Sequence, residues 1–332
     1  MNASGILRRL LRAREWLLAL VLAVLFIWFT CSARGGLTVH NLSNLLNWSR
    51  HWAVAGMLSV PMTLIIATGG IDLSVASLVA LGGMVLGVLW GKVGWNIWWA
   101  AGGGMMVATF GGAVNGWLSG RGKLAPLVVT LATMAVYRGL AMGMTESKPI
   151  TNIPASFYVV GQGHLWGAPL QLWLWGTVTV LGILVLHRTW IGDSLIALGE
   201  NPRAARYAAL PVDALIFWLY AANGLVAGLA AAVYVAQYTG ANPNMEMGLE
   251  LKVIACVVLG GTRITGGNAS IVGTLLGVLI IGMLEYNLDL IEFPKKYQPV
   301  VMGGLVIVAA IMNETLARRD ERSPIAVEGQ PA

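Results

Sequence analysis

Cysteine is nearly absent from this chain: Cys31 and Cys256 are the only two in 332 residues, which excludes a disulfide framework and a cysteine-built metal cluster. Charge is scarce too. Asp, Glu, Lys and Arg make up 11% of the residues against 57% hydrophobic ones, a balance that cannot clothe a water-facing globule in polar surface. The four histidines, His40, His51, His164 and His187, are scattered, and no grouping of His, Cys or carboxylates offers a catalytic or metal site. Gly120-Arg121-Gly122-Lys123 superficially suggests a phosphate loop. Trp117 nevertheless stands where the motif would begin, and Leu124 replaces its hydroxyl residue. The chain is therefore read as a non-enzyme that needs no cofactor and does not hydrolyse ATP itself.

What is present is apolar sequence in repeated runs, with a mean hydropathy of +0.73. The runs approach the roughly 20 residues that a helix needs to cross ~30 Å of hydrocarbon. Backbone groups cannot stay unpaired in lipid, so the runs are expected to be helices. The fold class is all-α, a polytopic membrane bundle of about ten transmembrane helices with glycine-rich broken segments. The spans are placed at Trp16–Ala33, Trp52–Gly69, Leu73–Trp90, Asn96–Ser119, Ala125–Met144, Gln171–His187, Ala214–Gln237, Glu250–Ile264, Ala269–Leu288 and Tyr297–Asn313. This makes residues 16–313 one membrane domain between an N-terminal tail, 1–15, and a C-terminal tail, 314–332. The first apolar run lacks a clean small-x-small cleavage site and reads as an uncleaved span.

Lysine and arginine favour the cytoplasmic ends of spans. Arg8, Arg9, Arg12, Arg14, Arg121, Lys123, Arg188, Arg203, Arg206, Arg263 and the arginines at 318, 319 and 322 collect on one side. Arg34, Arg50, Lys92, Lys148, Lys295 and Lys296 fall on the other. Both tails and the segment 188–212 are thus expected in the cytoplasm of a bacterial cell, with the chain multi-pass in the inner membrane. The net charge of +6 follows from this topology, and nucleic-acid binding is not expected without a basic soluble domain. Trp48, Trp52, Trp95, Trp98, Trp99, Trp166, Trp173 and Trp175 are read as a belt at the outer interface.

Two glycine clusters carry charge: Gly69-Gly70-Ile71-Asp72-Leu73-Ser74 and Gly260-Gly261-Thr262-Arg263-Ile264-Thr265-Gly266-Gly267-Asn268. Both suggest breaks where backbone polar groups turn toward a cavity or the membrane surface. The alternative is that Asp72 caps a helix and Arg263 obeys the positive-inside bias. Polar residues inside spans are costly and face protein or water, so Asp72, Ser74, Asn115, Asn223 and Asn268 are candidates for a translocation path. Each is equally a candidate for a helix-packing hydrogen bond. Between two spans, Asn201-Pro202-Arg203-Ala204-Ala205-Arg206-Tyr207 predicts a short water-facing helix, with Asn201 as its cap and Pro202 at its first position. Small side chains at Ala204 and Ala205 suit a partner's groove. The alternative is an ordinary interhelical loop.

The order of Gly69-Gly70-Ile71-Asp72-Leu73-Ser74-Val75, Leu127-Val128-Val129-Thr130-Leu131, Tyr137-Arg138-Gly139, Leu259-Gly260-Gly261-Thr262 and Gly266-Gly267 resembles the permease subunits of bacterial carbohydrate ABC importers, in the ribose, xylose, rhamnose and autoinducer-2 branch. The resemblance runs from about Leu37 to Asn313. It implies an ATPase subunit that binds and hydrolyses ATP, a periplasmic sugar-binding protein, and a second permease copy or paralogue, all working on a lipid-embedded chain. Ala197-Leu198-Gly199-Glu200-Asn201 with Ala204-Ala205 matches the family's cytoplasmic loop that docks on the ATPase. Gly192, Gly199, Glu200, Asn201, Ala204, Ala205 and Arg206 are its expected coupling residues. Ala76, where the family usually carries glycine, and Asp193, where it usually carries arginine, depart from the pattern and suggest a compensating partner permease. An ion-gradient carrier is the alternative function, but it would want carboxylates in mid-span, where only Glu285 lies; a channel would want a filter motif.

Overall fold

The computed structural model describes residues 13–32, 39–305 and 307–308. Among the described residues, thirteen α-helices with defined bounds carry the fold. α1 spans Ala13–Ser32, α2 Val39–Trp48, α3 Arg50–Ala67, α4 Val75–Gly91, α5 Ile97–Gly120, α6 Pro126–Gly143 and α7 Tyr158–Gln162. After a two-residue hairpin come α8 at Leu170–Arg188, α9 at Trp190–Glu200, α10 at Pro202–Tyr207, α11 at Val212–Tyr238, α12 at Leu249–Leu259 and α13 at Ile271–Leu290.

Six of these, α3, α5, α6, α8, α11 and α13, are long and apolar enough to cross a membrane, and α1 and α4 contain shorter apolar stretches. The expected eighth span is not a full one. α12 has 11 residues, about 17 Å at 1.5 Å per residue, and it stops at Gly260-Gly261, where Gly261 takes a φ of 98°. A left-handed residue ends a helix cheaply only when it lacks a Cβ. Of the expected tenth span, 297–305 and 307–308 are described and the backbone is helical at 298–305, while its end and most of both tails lie outside the described residues.

α3 sits at the centre and is buried along nearly its whole length, as expected for a helix that is apolar all round. α5 and α11 cross along a seam of small residues: the α-carbon of Gly116 lies so close to Phe217, that of Gly120 to Asp213 and that of Gly228 to Met105 that an added methyl would overlap backbone atoms, and Gly112 and Gly224 face the same crossing. Repeats of small residues every four positions put one flat stripe on each helix and let the backbones touch. Asn115 and Asn223, each one residue before a seam glycine, are thereby carried into the interior.

Glycine also explains two tryptophans. Trp52 and Trp175 do not join the outer belt: both are buried, Trp52 against Gly282 and Trp175 against Gly56. A missing side chain on the neighbouring helix leaves room for an indole, which overrides the ring's interfacial preference. Trp95, Trp98, Trp99, Trp166 and Trp173 are exposed.

Candidate functional site

The chain from Gly69 to Ser74 leaves α3 and enters α4 without a helical turn in between. Gly69 adopts a φ of 79°, which breaks the first helix and turns Asp72 into the bundle. Its carboxylate is fully buried and accepts three hydrogen bonds. The Ser74 backbone N–H donates to Oδ1 at 2.8 Å and the Ser74 hydroxyl at 2.6 Å, while Asn223 Nδ2 donates to Oδ2 at 2.8 Å. Asn115 Nδ2 then donates to Ser74 Oγ at 2.8 Å. The Tyr137 hydroxyl completes the chain, donating to Gly111 O at 2.8 Å and to Asn115 Oδ1 at 3.2 Å.

One connected polar network therefore ties α4, α5, α6 and α11 together through four of the five sequence candidates, Asp72, Ser74, Asn115 and Asn223. All four are 0% exposed, so in this conformation they join helices to one another and none meets water. Asn268 is elsewhere, half-buried in the loop before α13, where its carbonyl accepts from Arg263 N–H. Tyr137 belongs to the network but escaped the candidate set, since a tyrosine in an apolar run reads as packing. Tyr220 was missed for the same reason: its hydroxyl, buried with no partner among the described residues, stands beside Gly70.

The second candidate region is the corner formed by α9 and α10. The Asn201 side chain accepts from the N–H groups of Arg203 at 3.1 Å and Ala204 at 3.0 Å, a cap worth about 1 kcal/mol, and Pro202 occupies the first position. The helix ends where Ala209 turns left-handed at φ 57°. Its faces differ from expectation at one place. Ala205 points inward, buried with Leu198 and Val212 in a small core of its own. The outward surface consists of Arg203, Ala204, Arg206, Tyr207 and Ala208, and Tyr207 is 93% exposed. Spacing explains it: Ala205 lies on the face that must cover Leu198, and only a small residue fits there. Arg206 is paired with Asp213 of α11 at 3.3 Å.

Behind this corner the glycine clusters converge. A Cβ on Gly199 would overlap the carbonyl of Ala67 and the amide of Gly267, one on Gly266 would come within 3.0 Å of the Gly199 α-carbon, and one on Gly267 within 2.8 Å of the Glu200 side chain. The Gly267 N–H donates to Ala67 O at 3.0 Å. The end of α9, the break after α3 and the loop before α13 are thus in backbone contact, five residues upstream of Asp72. Gly192 serves the corner itself, because a Cβ there would strike the Leu186 carbonyl. Asp193, exposed in the first turn of α9, suits the positive end of that helix, and Ala76 is buried in the first turn of α4.

No metal-holding group of three or more His, Cys, Asp or Glu side chains occurs among the described residues. The arrangement is a buried network of hydrogen bonds, with the surface helix α10 following an α9 whose end touches the break after α3 through backbone atoms.

Comparison with known proteins places the chain in a family. The ribose import permease of Bacillus subtilis is 37% identical over 273 residues, covering 81% of this chain and 84% of that protein. The autoinducer 2 import system permease LsrD of Klebsiella pneumoniae is 33% identical, covering 92% of each chain, and the L-arabinose ABC transporter permease of Azospirillum brasilense is 33% identical over 93% of this chain and 90% of that one. No solved structure matches the chain. Residues 44–310 match the family model described as the permease component of branched-chain amino acid transport systems, and the chain belongs to that family of transport permeases.

Proposed function

We propose that the chain is the transmembrane permease subunit of an ATP-driven importer for a sugar or sugar-like solute, with alternating access powered by a separate ATPase subunit. The observation that carries this is the full-length likeness to import permeases named for ribose, autoinducer 2 and L-arabinose. The ATPase docks on α10 and the exposed face of α9, a periplasmic sugar-binding protein delivers solute at the opposite end, and a second permease copy or paralogue completes the assembly. The α10 end faces the cytoplasm together with both tails. Support comes from the basic residues, since Arg121, Lys123 and Arg263 in connections and Arg188 at the end of α8 lie at the α10 end, whereas Arg50, Lys92 and Lys148 lie at the other. With α12 as a half-span, about ten segments enter the membrane. Asp72, Ser74, Asn115 and Asn223 form a lock that opens as the solute passes, and Asn268 lies near the inner mouth.

An ion-gradient carrier gains no support from Glu285, which is held by Lys252 at 2.6 Å. Uptake of labelled monosaccharides by cells carrying the complete system separates the two. We predict uptake that survives an uncoupler and stops when ATP is depleted; loss with the uncoupler at constant ATP would contradict the reading.

A further inference from the structure

At the end of the bundle opposite α10, Asn44, Asn47, Trp48, Arg50, His51 and Tyr286 line an open cleft of about 420 Å³, inside the roughly 300–1,000 Å³ range of small-molecule sites. We infer that this cleft is a low-affinity receiving site for a monosaccharide-like polyol, the first place on the permease where the solute rests. The inference builds on the sugar-import reading above.

Three features of the lining support it. The first is rings: Trp48 stands 4.8 Å from His51 and 5.6 Å from Tyr286, centroid to centroid, so aromatic faces line a wall against which the C–H face of a sugar ring can lie. The second is mixed hydrogen-bonding capacity. The side-chain amide of Asn44 both donates and accepts, as a hydroxyl does, and that of Asn47 adds its Nδ2 donors, whereas a site for a phosphate or carboxylate would supply donors alone. The single guanidinium is partly engaged, since Arg50 donates to Asn47 O at 2.9 Å and to Asn47 Oδ1 at 3.0 Å, and its remaining N–H groups can donate to a ligand hydroxyl. A lining that offers donors and acceptors together suits a hydroxyl-rich ligand.

The third feature is fixed geometry. Asn47 Oδ1 also meets His164 Nε2 of the outer hairpin at 2.9 Å. His51 Nδ1 meets the Tyr238 hydroxyl at 3.2 Å and Gln237 Nε2 at 3.1 Å. The lining is thus anchored to α11 and to the hairpin before any ligand arrives, which lowers the ordering cost of binding. Because α11 also supplies Asn223 to the buried lock, occupancy at one end bears on the same helix that closes the other.

The test is saturation-transfer NMR on the purified full chain in nanodiscs, with D-ribose, L-arabinose, L-rhamnose and D-xylose each at about 10 mM, a concentration suited to millimolar affinity. We predict transfer to the ring protons of at least one sugar, lost in Trp48→Leu and in Asn44→Leu and retained in the control Trp173→Leu. Asn44 is exposed, so its variant keeps the fold even where Trp48→Leu disturbs packing. Transfer unchanged by both variants, or no transfer from any of the four sugars, overturns the receiving site. Uptake by the wild-type system decides the function separately. Sugar uptake without cleft-dependent transfer overturns this inference alone, and no monosaccharide uptake overturns the transport reading and the inference with it.

Discussion

Two neighbouring residues on α10 divide packing from docking. Ala205→Glu places a carboxylate in the small core with Leu198 and Val212, where an unpaired buried charge costs several kcal/mol. We predict reduced abundance of that variant on membrane immunoblots. Tyr207→Glu changes a side chain that is 93% exposed, so the same blots should show normal abundance while the ATPase no longer co-purifies. Large aromatic side chains that touch nothing in their own chain are frequent anchors in interfaces. At the other site, Asp72→Ala removes the acceptor of three buried hydrogen bonds. With about 1–3 kcal/mol lost for each buried donor left unpaired, a clear drop in thermal unfolding temperature is expected; an unchanged midpoint would mean that the network carries no stability. The sequence made Asp72, Ser74, Asn115 and Asn223 visible because polar groups in apolar runs are costly. It left Tyr137 hidden because a tyrosine's ring accounts for its presence there. It also left the inward turn of Ala205 hidden, since one methyl fits a groove on either side of a helix.

Elements were legible where period and punctuation agreed. The cap at Asn201, the start at Pro202 and the breaks at Gly69 and Gly261 stand where the sequence put them, because capping and left-handed turns are local chemistry. α12 was read too long: its apolar character continues past Leu259, whereas the helix ends at the left-handed Gly261, and the packing of Gly260 against Gly273 of α13 is a long-range fact. The meeting of the end of α9 with the breaks before α4 and α13 was invisible for the same reason. It makes a prediction at this scale. Gly199→Ala sets a methyl against the Ala67 carbonyl and the Gly267 amide, an overlap that costs about 1–3 kcal/mol to relieve, while leaving Tyr207 and Arg203 in place. ATPase co-purification should therefore persist while uptake falls. Normal uptake in this variant would show that the three-way backbone contact does not transmit movement.

For the molecule as a whole, the bundle has two ends, one at α10 and one at the Asn44 cleft, joined by helices that span between them. α11 links the Asn44 cleft, through Gln237 and Tyr238, to the buried hydrogen-bond network at Asn223 and on to Asp213 beside α10. α3 does the same from His51 to the carbonyl of Ala67. Membrane class was legible from composition alone, because an apolar majority with few charges has no other stable setting; which helices touch was not, since apolar faces are alike until glycine decides how near they come. The claim that most needs testing is that the α10 end receives the ATPase. A photo-crosslinking amino acid placed at Tyr207, and in a second variant at Asn44, tests it in intact cells expressing the whole system. We predict one adduct from position 207, whose partner yields a peptide with the phosphate-binding pattern G-x-x-x-x-G-K-[ST], and no such adduct from position 44. Capture of that ATPase from position 44, or its absence at position 207 with the variant still transporting, would contradict it.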